Sequence, residues 1–68
     1  MTKLKWFGIF GKHKEFATEE LFVGDVIAKT LTEAKRRAKR RFTAWKITRV
    51  IVENKTPTSF EILKFYND

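Results

Sequence analysis

The hydrophobic positions of the chain fall in short dense runs separated by charged stretches. Lys3 to Gly11 (KLKWFGIFG) is rich in aromatic and branched side chains, the composition of a strand. Gly8 within it marks a bulge or a close backbone approach. Gly11 to Glu20 is polar apart from Phe16 and Ala17 and reads as a hairpin connection to a second strand, Leu21 to Lys29. Gly24-Asp25 interrupts that strand as a bulge or a tight turn. With a bulge, Leu21 and Val23 need not share a face with Ile27. The spacing then changes. Leu31, Ala34, Ala38 and Phe42 line up as one narrow stripe at about 100° per residue, which predicts a helix. Thr30-Leu31-Thr32-Glu33 is a capping box at its start: Thr30 takes a backbone N–H and Glu33 reaches back. Trp45 to Glu53 reads as a third strand, Lys55-Thr56-Pro57-Thr58 as a turn, and Ser59 to Tyr66 as a fourth strand.

The predicted order is therefore ββαββ in a single domain over residues 1–68. It is an α+β fold in which one helix packs on one face of an antiparallel sheet. The strands carry apolar residues on both faces, and one helix covers only one of them. Some aromatic surface, from Trp6 or Phe7 in the first strand and Phe65 or Tyr66 in the last, is left over. Exposure, a homodimer or a binding partner would account for it.

At 68 residues the core is thin, since folding buries only about 60% of the surface of so short a chain. The absence of cysteine excludes a disulfide framework and a thiolate metal site. No apolar run approaches the ~18 residues of a membrane span, and Trp6 to Phe10 is too short for a secretory signal, so a cytoplasmic protein is expected. His13 stands alone between two lysines and reads as a solvated loop residue. Glu19-Glu20 is an adjacent pair whose members would face opposite ways in a strand and reads as a solvated hairpin. Ser59 belongs to no nucleophile motif, and no glycine-rich phosphate loop is present. No catalytic, metal or cofactor constellation emerges, and the chain reads as a binder rather than an enzyme.

Charge changes the picture most. Between Lys29 and Arg49 lie nine basic residues and one acid, Glu33, while the other 47 residues carry six bases and seven acids. The net charge of +7 thus belongs to one segment. Arg36, Lys39 and Arg40 point away from the helix stripe, Lys35, Arg37 and Arg41 flank it, and Lys46 and Arg49 follow in the next strand. Lys35–Lys39, Arg36–Arg40 and Arg37–Arg41 are like-charged pairs at i,i+4, each unfavourable by about 0.2–0.5 kcal/mol. A solvating face interleaves both signs. One that does not is suited to a polyanion, either nucleic acid or an acidic protein surface.

The segment Val26 to Val50 (VIAKTLTEAKRRAKRRFTAWKITRV) resembles the small host RNA polymerase inhibitors of coliphages. The likeness covers residues 5–50. It rests on Lys5-Trp6-Phe7 for the aromatic strand, Ala28-Lys29-Thr30-Leu31 with Glu33-Ala34 for the helix start, and Thr48-Arg49-Val50. The resemblance implies a phage or mobile-element protein of that fold, acting on a host protein such as a polymerase or a defence nuclease. The chain departs from the family in having a basic rather than acidic helix. Of the strand arginines with which the family grips polymerase only Arg49 has a counterpart, since the next such position is Ile51. The expected function is nucleic-acid binding through Lys35, Arg36, Arg37, Lys39, Arg40, Arg41, Lys46 and Arg49, with aromatic contacts from Trp6, Phe7, Phe65 or Tyr66. Inhibition of a host protein is the alternative.

Overall fold

Alternation along the first strand sets the two faces of the molecule. The computed structural model describes residues 3–16 and 19–66. Strand β1 (Lys5–His13) sends Phe7 and Ile9 to one side, where they are 4% and 0% exposed, and Trp6 and Phe10 to the other. β2 (Leu21–Ala28) and β3 (Trp45–Val52) pair antiparallel with β1 on either flank, giving the order β2-β1-β3. Helix α1 (Leu31–Arg41) lies across the Phe7/Ile9 face. Ala34 and Ala38 are fully buried against Phe7, Ile9, Val26 and Ala28, with Val23, Phe42, Ile47 and Val50 around them. Two alanines at the contact let the helix axis approach the sheet closely. Thr30 caps α1 as expected, its Oγ1 accepting from the Glu33 N–H at 3.2 Å, while Glu33 Oε1 reaches one residue further back, to the Lys29 N–H at 3.4 Å.

The register shifts once on each side of β1. Opposite β2, Ile9 pairs with Gly24 and Phe10 with Phe22, so the bulge falls at Val23 rather than at Gly8 or Gly24-Asp25. It turns Phe22 onto the same open face as Phe10, where the two rings meet edge to face at 5.4 Å. Opposite β3, the shift lies between Phe10 and Gly11 and leaves Thr48 as the extra residue. Gly8 marks neither a bulge nor a close approach, since a Cβ there would meet side chains at an ordinary 3.4 Å, whereas a Cβ on Gly24 would come within 2.9 Å of the Phe42 ring.

The expected fourth strand is not a strand. Ser59–Tyr66 forms a helix, α2, so the order is ββαβα with two helices and a three-stranded sheet. The reason lies in its first turn. Thr58 and Glu61 repeat the box that starts α1: the Thr58 N–H donates to Glu61 Oε1 at 2.8 Å, and the Glu61 N–H to Thr58 Oγ1 at 3.2 Å. Its apolar residues also break strict alternation at Ile62-Leu63 and Phe65-Tyr66. With no fourth strand, β2 and β3 are both sheet edges. The segment after β3 crosses the open face at the Trp6 end. There Lys55 lies 5.0 Å from the Trp6 ring and 3.9 Å from both Asp25 and Glu53. No helix among the described residues is long and apolar enough to cross a membrane.

Candidate nucleic-acid interface

Helix geometry sorts the cations of α1. At about 100° per residue, Arg37, Arg40 and Arg41 fall on one flank of the buried Ala34/Ala38 stripe, Lys35 and Lys39 on the other, and Arg36 farthest from the sheet. Lys35, Arg36, Lys39, Arg40 and Arg41 are exposed, and Arg37 is half-buried because its guanidinium lies 4.3 Å from the Phe65 ring. None of the six takes part in an ion pair among the described residues, where the only bridges are Arg49–Glu20, Lys55–Asp25 and Lys55–Glu53. Arg41 stands 5.7 Å over the Phe42 ring. The outer surface of α1 is thus a continuous field of unneutralised positive charge on a rigid element.

The remaining predicted basic residues lie elsewhere. Lys46 and Arg49 belong to β3 and face the open side of the sheet, away from α1. Lys46 stands opposite Lys12 across the β1–β3 ladder. Arg49 is tied down, bridging Glu20 at 3.0 Å and covering the Phe10 ring at 4.3 Å. Glu20 also accepts from the Thr48 hydroxyl at 2.6 Å. It remains exposed, as expected of the hairpin, and also bridges the hairpin to the edge strand.

The aromatic candidates divide as well. Phe7 is in the core and unavailable to a partner. Trp6 is half-buried on the open face beneath Lys55. Phe65 and Tyr66, expected on the sheet, sit on α2 instead, with rings edge to face at 5.1 Å. His13 is half-buried rather than a free loop residue: it ends β1, its Nδ1 accepts from the Glu15 and Phe16 N–H groups at 3.1 and 3.4 Å, and it packs on Phe16 and Trp45.

Two features escaped sequence reading. One is a cleft of about 830 Å³ between α1, the β2 edge and α2, lined by Arg37, Arg40, Arg41, Trp6, Phe60 and Lys64 among others. It exists only because Ser59–Tyr66 is helical, and the Thr58-x-x-Glu61 box was its signal. The other is a pair of carboxylates, Asp25 and Glu53, on the open face. Each has one buried oxygen without a partner. The Glu53 carboxyl is held above the ordinary range, first by a hydrogen bond with Asp25, then by burial and the Asp25 charge, with Lys55 opposing.

Compared with protein-family models, curated proteins and solved structures, the chain matches none of them.

Proposed function

We propose that the protein is a nucleic-acid-binding module, not an enzyme, that lays the outer face of α1 along phosphates. The observation that carries this reading is the set of six α1 cations without a carboxylate partner among the described residues. Holding three like-charged i,i+4 pairs on one short helix costs about 0.2–0.5 kcal/mol each. A polyanion reverses that cost by replacing mutual repulsion with phosphate contacts and released counterions. Four of the six are arginines, whose forked donors suit phosphate oxygens. Phosphate contacts position a protein without reading bases, so binding is expected across many sequences.

The test is a titration of labelled DNA and RNA over a range of salt. If about 3–5 phosphates are engaged, log K falls against log salt with a slope of about −3 to −5 on duplex. Arg36→Glu with Arg40→Glu abolishes binding. A flat salt dependence, or full binding by that variant, overturns the reading.

A second reading is supported by the open sheet face. Phe22 and Ile51 are 56% and 42% exposed there, beside Phe10 and Arg49. An aromatic or arginine anchor in an apolar patch is what a protein-docking surface offers. It fits the resemblance to phage inhibitors of host polymerase through Arg49. A pull-down from bacterial lysate with and without nuclease separates the two. A protein partner that survives nuclease, and is lost in Arg49→Ala rather than in the α1 double variant, favours inhibition.

A further inference from the structure

The cleft between α1 and α2 has a lining that phosphate binding alone does not explain. Its cations, Arg37, Arg40, Arg41 and Lys64, outnumber its one acid, Glu61, which is engaged by the Thr58 N–H, and would serve any polyanion. Its rings serve a duplex poorly, because stacked and paired bases keep their π-faces inside the helix. Only an unpaired nucleotide offers a face to an aromatic side chain together with a phosphate to an arginine. The rings are also not equivalent. Phe65 is already covered by Arg37 and Trp6 by Lys55, at 4.3 and 5.0 Å. Phe60, at the start of α2, is 76% exposed and has no aromatic or cationic partner among the described residues. The volume, about 830 Å³, lies within the ~300–1,000 Å³ of sites that take a molecule of nucleotide size.

We infer that this cleft binds single-stranded nucleic acid, with one unpaired base stacked on Phe60 and its neighbouring phosphates on Arg40, Arg41 and Lys64. The inference rests on the nucleic-acid reading above and narrows it to a strand class. Arg37, packed on Phe65, has the positioning role of joining the two helices and holding the cleft open. Charge complementarity and an uncovered ring, side by side, select this occupant over a purely apolar partner.

The experiment compares one short labelled oligonucleotide as a single strand and as the duplex with its complement, at matched salt. The wild-type chain is expected to bind the single strand more tightly. Phe60→Ala weakens single-strand binding by about 5- to 100-fold and leaves duplex binding unchanged, and Phe60→Tyr restores it. Phe60 lies outside the core, so the variant keeps its melting temperature and the comparison stays interpretable. Equal affinity for both forms, unaffected by Phe60→Ala, overturns the inference while the phosphate reading stands. Failure to bind either form at low salt overturns both. Concentration-dependent self-association by sedimentation, lost in Phe60→Ala, assigns the ring to a second copy of the chain and overturns the inference as well.

Discussion

Asp25, opposite Gly8 in β2, and Glu53, just past β3, each bury one carboxylate oxygen without a hydrogen-bond donor, and both lie 3.9 Å from the Lys55 Nζ. Two ionised carboxylates are both acceptors only, so these oxygens can pair only through a proton held on one of the acids. Glu53 keeps that proton to a higher pH than in the unfolded chain, through the Asp25 bond first, then burial and the Asp25 charge. A raised folded value means that its stabilisation is complete below the ordinary glutamate value of 4.5 and is lost as pH rises through the folded one. Glu53→Gln, which donates to Asp25 at every pH, is therefore expected to melt higher than the parent at neutral pH. The gap should close in acid below the ordinary value. Thermal melts at the two pH values check this, and a variant that melts lower at neutral pH rules out the shared proton.

Glu61 behaves in the opposite sense. The Thr58 backbone N–H lowers its carboxyl most, helped by the Thr58 hydroxyl, Lys55 and Trp6. The cap of α2 is thus intact above the ordinary range and lost as pH falls through the lowered value. Because α2 buries no residue, its melting should be local. Thr58→Ala, a cap loss of about 0.5–2 kcal/mol, is expected to speed amide exchange across Phe60 to Tyr66 and leave the global melting temperature nearly unchanged. A global loss of that size would place α2 in the cooperative core.

The three glycines of the sheet grade by what a methyl would meet. At Gly8 the nearest atom is 3.4 Å away, at Gly24 the Phe42 ring at 2.9 Å, and at Gly11 the Lys46 carbonyl oxygen at 2.6 Å. A ring can tilt, whereas a backbone carbonyl inside the ladder cannot. Alanine at Gly8 is expected to be tolerated, at Gly24 to cost about 1–3 kcal/mol, and at Gly11 to cost more. Denaturant midpoints of the three variants give the order, and a tolerated Gly11→Ala would refute the register of β3.

Arg40 and Arg49 test whether the helix or the sheet would carry the proposed phosphate contacts. Arg49 is occupied by Glu20 and Phe10, and Arg40 has no ion-pair partner among the described residues. Arg40→Ala is expected to reduce the salt slope by about 1, and Arg49→Ala to leave it in place. The reverse pattern in the same titration would move the phosphate track to the open sheet face.

Much of the architecture was legible because short-range rules and tertiary packing agree. The Thr30 cap, the Ala34/Ala38 stripe and the aromatic alternation in β1 each satisfy a local preference and the fold at once. The end of the chain was not legible from periodicity. Phe60, Ile62, Leu63, Phe65 and Tyr66 suit neither a strand nor a helix by spacing, and the cap at Thr58 decides between them. The basic character of α1 was plain in the sequence. That Arg49 is spent on Glu20, and that Phe7 lies inside, depends on strand pairings between distant residues.

Placing the first strand in the middle of the sheet dictates when the fold can close. β1 finds β2 almost at once, a hairpin pairing within the first part of the chain. Its other edge waits for β3, since Ile9 pairs with Val50 and Phe7 with Val52. Pairings so distant in sequence are slow to form, because the loop between them must be ordered first. During synthesis, Phe7 and Ile9 are therefore made well before their second partner strand exists. Until then only the hairpin and the arriving helix shield them. A free fragment ending before Trp45 should be sticky, and extending it through β3 rather than through α2 should remove that stickiness.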